Sequence, residues 1–112
     1  MITVIASDAQ GVEVEFQHVE NADDILVSAI QLAKKYPFGC VSVSSGAGKT
    51  RQLVQRVSDD TIVVRGSARE VTIYYNTRLK QYEVEIERDF GYARYTLGEA
   101  LDCAAHWCER EM

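Results

Sequence analysis

Apolar and polar residues alternate along two stretches of the chain, residues 2–16 and 72–86, and each stretch is interrupted by a polar turn. In the first, Val12, Val14 and Phe16 are separated by acidic residues. A period of two is typical of a strand with one buried face. The turns "SDAQG" (7–11) and "NTRLKQ" (76–81) then predict two β-hairpins.

A helical period follows each hairpin. Apolar residues from Ile25 to Ala33 recur at the spacing of a buried helix face, and Pro37 ends that pattern. Asn21 and Asp23 are alternative caps for this first helix. The second predicted helix covers 97–107. Thr96 is its cap, and Glu99 completes a capping box.

The two hairpin–helix units predict an internal duplication, with halves at about 1–36 and 71–110 joined by connecting strands within 39–67. Residues 39–45 and 61–67 are rich in β-branched residues and predict strands, as does "GYARY" (91–95). Residues 50–57 fit a helix and a strand equally well. We therefore expect a single α+β domain over 1–112, with a mostly antiparallel sheet and two helices packed on one face.

The amino-acid composition and the net charge limit the classes of function that we expect for the chain. The chain has 112 residues, three cysteines and a formal net charge of −5. An odd number of cysteines favours a reducing compartment, so we expect a cytoplasmic protein, within the host cell if a phage encodes it. The acidic balance and the absence of a basic stripe argue against direct nucleic-acid binding, and we expect no membrane association.

The segment "GAGKT" (46–50) resembles the end of a phosphate-binding loop. That loop needs a glycine where this chain has Val43, and it needs a strand that ends in a metal-binding Asp. A β-branched residue resists the positive φ that glycine accepts. The surroundings favour a hairpin turn, with an anion-binding loop and a nucleotide site as the alternatives.

A second candidate for chemistry is the C-x-x-H-x-C pattern formed by Cys103, His106 and Cys108. On a helix these three side chains point in different directions and cannot share one metal ion. We expect a structural Cys103 and a surface His106. The sequence predicts no catalytic residue, no cofactor and no metal site.

Carboxylates on the predicted strands form the candidate binding site. Because apolar residues alternate with them, we expect these carboxylates to point away from the core and to form an anionic face. Such a face is either ordinary solvated surface or a docking site for a cationic protein. The candidate partner-binding residues are Glu13, Glu15, Glu83, Glu85, Glu87 and Asp89.

The segment "QYEVEIERDFGYARYTLGEALDCAAHW" (81–107) resembles two groups of small proteins. In some anti-CRISPR proteins of phages and mobile elements, a similar "YEV" and "ERD" hairpin precedes an Ala-rich helix. In the antitoxins of HicAB toxin–antitoxin pairs, a Y-x-V hairpin leads to a T-x-E-E-A-L-x-x-A helix. The residues that match the second pattern are Tyr82, Val84, Thr96, Glu99, Ala100, Leu101 and Ala104.

The first resemblance implies a non-catalytic inhibitor that binds a CRISPR effector complex, without a cofactor. The second implies an antitoxin with a small basic toxin as its partner. The leading hypothesis is therefore a non-enzymatic protein that docks on a nucleic-acid-handling complex through an acidic surface. An antitoxin and a nucleotide-binding protein that uses "GAGKT" remain as alternatives.

Overall fold

Eight strands and two α-helices are present in the computed structural model, which describes residues 2–45, 50–87 and 90–110. The backbone divides into two units, Met1–Gln55 and Arg56–Met112. The boundary falls inside the fourth strand, within the segment predicted to connect the two halves. The units are described separately below.

The first unit contains strands β1 (Ile2–Ser7), β2 (Glu13–Val19), β3 (Cys40–Ser44) and β4 (Thr50–Ser58), with helix α1 (Ile25–Lys35) between β2 and β3. The strand order is β2-β1-β3-β4, and all three pairings are antiparallel. Helix α1 packs on β1, β2 and β3. The core between helix and strands contains Val4, Ala6, Val41, Ala29 and Leu32, each at most 1% exposed.

The second unit contains strands β5 (Thr61–Arg65), β6 (Glu70–Asn76), β7 (Gln81–Glu87) and β8 (Phe90–Arg94), followed by helix α2 (Leu97–Cys108). These strands form an antiparallel meander in chain order. Helix α2 packs on all four. Its buried face, which includes Ala100, Leu101 and Ala104, covers Val64, Val71, Ile73 and Val84.

The helix ends follow from local chemistry. Asn21 accepts a hydrogen bond from the Asp23 backbone N–H at 3.2 Å and starts a short 3-10 turn, Ala22–Asp24, ahead of α1. Helix α1 ends at Lys35, two residues before Pro37. At α2, the Thr96 hydroxyl accepts the Glu99 N–H at 3.1 Å and donates to the Glu99 carboxylate at 2.9 Å. The predicted cap at Thr96 is confirmed. Asn21 caps the 3-10 turn and not α1, because the N-cap residue of α1 is Asp24, which makes no side-chain cap hydrogen bond.

The predicted fold class is confirmed: the chain is α+β, its strands are antiparallel, and each unit carries one helix. The two hairpins lie where the alternation predicted them. The halves differ in detail, because β8 separates the second hairpin from α2 whereas β2 leads through the 3-10 turn into α1. A single domain over 1–112 remains a prediction.

The ambiguous segment 50–57 is a strand with an irregular register. Val41 pairs with Val54 and Ser42 pairs with Gln52, so Leu53 is an extra residue in β4. This bulge lets the consecutive residues Leu53 and Val54 both be buried, at 2% and 3% exposure. Two adjacent buried residues break the period of two, which explains why the sequence pattern did not distinguish a strand from a helix.

Candidate functional site

Three of the predicted carboxylates lie on β7, and their side chains point away from the face that α2 covers. Val84 and Ile86, which alternate with them, are buried under the helix. Glu83 is opposite Tyr74 on β6, and Glu85 is opposite Thr72. The expectation that Glu83, Glu85 and Glu87 face away from the core is therefore confirmed. Asp89 lies outside the described residues.

The three carboxylates border an open groove of about 530 Å³. On β8, the residues opposite Glu83 and Glu85 are Ala93 and Gly91, which have the smallest side chains available. A Cβ on Gly91 would overlap the Val84 carbonyl oxygen, so this position requires glycine. Two aromatic residues on the groove wall, Tyr74 and Phe90, are each 37% exposed. The residues lining the groove are Tyr74, Glu83, Val84, Glu85, Glu87, Phe90, Gly91, Tyr92 and Ala93. The aromatic and small residues were not predictable from the sequence, since only the strand register places them beside the carboxylates.

The carboxylates differ in their partners. Glu83 accepts hydrogen bonds from Gln81 at 2.9 Å and from Asn76 at 3.3 Å. Glu87 forms an ion pair with Arg69 at 2.8 Å. Within ranges 2–45, 50–87 and 90–110, the Glu85 carboxylate forms no hydrogen bond or ion pair. Glu85 at the centre of the groove is therefore the carboxylate most available to an incoming cation.

The prediction for β2 was wrong: its polar face lies under α1 and its apolar face points outward. Glu15 is opposite Ala6, which is completely buried, whereas Phe16 is 53% exposed. Val12 and Val14 are also exposed, at 60% and 41%. Glu13 is exposed at the start of the strand. Glu15 therefore does not belong to an outward anionic face.

The physical reason is a polar network that joins β2 to α1. The Glu15 carboxylate accepts hydrogen bonds from Lys35 at 2.6 Å and from the Tyr36 hydroxyl at 2.9 Å. The Ser28 hydroxyl, buried in α1, donates to the Gln17 side chain. The Lys35 hydrogen bond, followed by the one from Tyr36, lowers the pKa of Glu15 below its ordinary 4.5. The same contacts raise the pKa values of Lys35 and Tyr36.

The glycine-rich segment connects two strands. Residues 46–49, including Lys49, lie outside the described residues, but Ser44 of β3 pairs with Thr50 of β4 in an antiparallel ladder. A phosphate-binding loop leads from a strand into a helix, whose N-terminus supports the phosphates. Here a strand follows, as the hairpin interpretation predicts.

The cysteines and histidine of α2 have the environments of structural residues. Cys103 is 9% exposed and Cys108 is fully buried, while His106 is exposed. Burial raises the pKa of the Cys103 thiol and raises that of Cys108 to about 12. A thiol that stays protonated is a poor nucleophile. The structural Cys103 and surface His106 expected from the sequence are confirmed. Among the described residues, no three His, Cys, Asp or Glu side chains are grouped to hold a metal ion.

An aromatic cluster at the end of the second unit joins residues that are distant in the sequence. The Tyr92 ring of β8 stacks on Trp107 of α2 with 5.7 Å between centroids, and Phe90 meets Trp107 edge-on at 5.3 Å. The guanidinium group of Arg94 lies 5.3 Å from the centre of the Tyr92 ring, and that of Arg110 lies 5.5 Å from the centre of the Trp107 ring. These contacts join β8 to α2, so the cluster has a structural role.

Neither helix within the described part of the chain is long and apolar enough to cross a membrane. No protein-family model, curated protein or solved structure matches the chain.

Proposed function

We propose that the chain is a non-catalytic binding protein that docks on a basic protein surface through the groove between β7 and β8. The observation that carries this proposal is the groove itself. Glu83, Glu85 and Glu87 border it, and Tyr74 and Phe90 provide exposed aromatic surface beside them. A groove of this composition suits arginine and lysine side chains.

Cationic side chains gain two kinds of contact in this groove. Carboxylates on one strand face repeat every second residue, about 7 Å apart. Arginine pairs with carboxylates in a bidentate geometry, and its guanidinium also stacks on aromatic rings. Because Gly91 and Ala93 leave the groove floor low, long side chains reach Glu85, which has no partner among the described residues.

The negative charge of the groove indicates which class of protein it binds. Proteins that handle nucleic acids present clustered lysine and arginine residues to the phosphate backbone. An acidic groove with regularly spaced carboxylates competes for such surfaces, which agrees with the chain's net charge of −5. We therefore propose inhibition of a nucleic-acid-handling complex, as in anti-CRISPR proteins. In the antitoxin alternative, the same groove binds a small basic toxin.

The test measures binding to a panel of purified CRISPR effector complexes and HicA-type toxins by isothermal titration calorimetry. We expect the triple variant Glu83→Gln, Glu85→Gln, Glu87→Gln to weaken binding about a hundredfold, since three pairs contribute about 1 kcal/mol each. The matched control, Glu13→Gln, Glu20→Gln, Asp24→Asn, removes the same number of exposed charges from the first unit.

The outcomes separate the alternatives. Equal weakening by both triple variants would show that net charge alone matters, and failure of the wild-type protein to bind any member of the panel would contradict the proposal. A nucleotide-binding protein is tested by a thermal-shift measurement with Mg-ATP and Mg-GTP. A shift in melting temperature that Lys49→Ala abolishes would favour that alternative instead.

A further inference from the structure

Strand β8 forms an open edge of the second unit. Among residues 50–87 and 90–110 it pairs only with β7, so one side of its backbone has no neighbouring strand. Edge strands are usually protected by charged side chains, proline or bulges, because an open edge is a template for another strand. The one charged residue of β8 is Arg94 at its end, which lies on the α2 side beside the Tyr92 ring. The edge from Phe90 to Ala93 therefore carries no charged side chain.

Small side chains separate this edge from the carboxylates of β7. Gly91 and Ala93, which are opposite Glu85 and Glu83, are both exposed. The register is regular across these two pairs, and its irregularity lies further along, between Glu85 and Glu87. A strand added to the edge would lie about 5 Å from β8 and about 10 Å from β7. Side chains that it placed opposite Gly91 and Ala93 would meet no bulky neighbour on β8 and would have a free path to β7.

We infer that the partner binds as an extended segment that adds to the edge of β8, with arginine or lysine at two positions separated by one residue. This inference rests on the proposed function, because it specifies how a basic protein occupies the same groove. Directly opposite residues on neighbouring strands share one face of a sheet. The two basic side chains therefore lie on the groove face, opposite Gly91 and Ala93, and the residue between them lies on the α2 side, opposite Tyr92.

The spacing of the carboxylates matches that of an extended segment. Alternate residues are about 7 Å apart along β7 and along any strand added beside β8. Arginine and lysine have long methylene stems, which lie along a surface while the charged group reaches further. The side chain that passes over Gly91 reaches Glu85, and the one that passes over Ala93 reaches Glu83. Glu83 already accepts two side-chain hydrogen bonds, whereas Glu85 accepts none from the described residues, so the position opposite Gly91 should contribute more.

Charge favours such a segment over a second copy of this chain at the same edge. Strand β8 of a second copy has a single basic residue, Arg94, and not two at alternate positions. The second copy would also bring its own carboxylates and a net charge of −5. Because like charges that approach each other weaken association, the acidic groove selects a basic segment.

A peptide titration followed by NMR tests the spacing. The probe is a short peptide of threonine and valine in which two arginines are separated by one valine, added to the isotope-labelled protein. The amide signals of β8 and β7 should shift most. The control peptide has the same composition with the two arginines adjacent, so only one of them faces the groove, and it should bind about fivefold more weakly. Equal affinity of the two peptides, or binding by neither, would overturn the inference.

Backbone methylation separates strand addition from attraction between charges alone. In an extended peptide, the amide groups of alternate residues point to opposite sides, and only one side can donate hydrogen bonds to β8. Methylation of one alternate set of amide nitrogens should therefore abolish binding, while methylation of the other set should preserve it. An equal effect of the two methylations would refute strand addition. The proposed function would still stand if the variant Glu83→Gln, Glu85→Gln, Glu87→Gln weakened binding of the whole partner.

A variant of the protein tests the path over β8. Ala93→Leu keeps every charge but blocks the path to Glu83, so it should weaken peptide binding about fivefold. The matched control is Thr72→Leu, which adds bulk opposite Glu85 on β6, away from the open edge. Equal binding by Ala93→Leu and wild type would overturn the inference. So would a dimeric mass of the protein alone that Ala93→Leu reduces to the monomer, since it would assign the edge to a second copy.

Discussion

Gly66 provides a sharp test of the packing between β5 and α2. It follows the last residue of β5, beside the C-terminal end of α2. A Cβ at this position would overlap the Cys108 carbonyl oxygen and would lie 2.6 Å from both the carbonyl carbon and the sulfur of Cys108. Non-bonded carbon atoms in contact are about 3.5–4.0 Å apart. Gly66→Ala therefore forces the strand and the helix end to separate by about 1 Å.

The expected loss of stability follows from the hydrogen bonds and the packing that this displacement disturbs. The Cys108 carbonyl accepts the backbone N–H of Ala68 at 3.0 Å and that of Arg69 at 3.1 Å. Weakening two such hydrogen bonds costs about 1–2 kcal/mol, and forcing an extra methyl group into a packed region costs about 1–3 kcal/mol. We expect Gly66→Ala to lower the free energy of unfolding by about 3 kcal/mol.

The assay is equilibrium unfolding in urea, followed by circular dichroism. The midpoint should fall while the slope stays unchanged, because the variant changes stability and not the surface exposed on unfolding. The double variant with Cys108→Ala identifies the clashing atom. Since the backbone carbonyl is the closest neighbour, removing the sulfur should leave most of the loss in place. Complete recovery relative to Cys108→Ala alone would refute this reasoning.

Four further predictions concern the cap of α2 and the contacts of β1, β2 and α1 in the first unit. Thr96→Ala should lower the free energy of unfolding in urea by about 1 kcal/mol, because the Glu99 backbone N–H loses its cap, and Thr96→Ser should not. The pKa of Glu15 is lowered in the folded state, so its carboxylate contributes stability that is present above pH 4.5 and is lost as the pH falls through the folded-state pKa. The free energies of unfolding of wild type and Glu15→Gln, measured at decreasing pH, should therefore converge in acid. The pKa of Tyr36 is raised above its ordinary 10.0, so its contribution to stability is present below pH 10.0 and is lost as the pH rises through the folded-state pKa. Unfolding of wild type and Tyr36→Phe compared across that pH range should show this loss. Gly39→Ala should prevent folding of the first unit, measured by the loss of helix signal, because its Cβ overlaps a β1 carbonyl oxygen.

Features that depend on neighbouring residues in the chain could be predicted from the sequence. The two hairpins, the cap at Thr96 and the end of α1 before Pro37 each follow from the chemistry of a few consecutive residues. The direction of Glu83, Glu85 and Glu87 was also predictable, because the alternating Val84 and Ile86 supply the buried face.

The orientation of β2 could not be predicted, because a period of two gives two faces without saying which one a helix covers. At β2 the polar face became the covered one, since Glu15 and Gln17 find partners on α1. Those partners are 11 to 21 residues away in the chain. In the same way, the bulge at Leu53 is a property of the pairing between β3 and β4 and leaves only an irregular pattern in the sequence.

Salt dependence tests whether charge carries the proposed contact at the groove between β7 and β8. Contacts between exposed carboxylates and a basic partner weaken as ionic strength rises, because the charges are screened within about 10 Å at 0.1 M salt. Partner binding should therefore decline as the sodium chloride concentration rises. Binding that stays constant across that range would indicate that the carboxylates of the groove do not carry the contact.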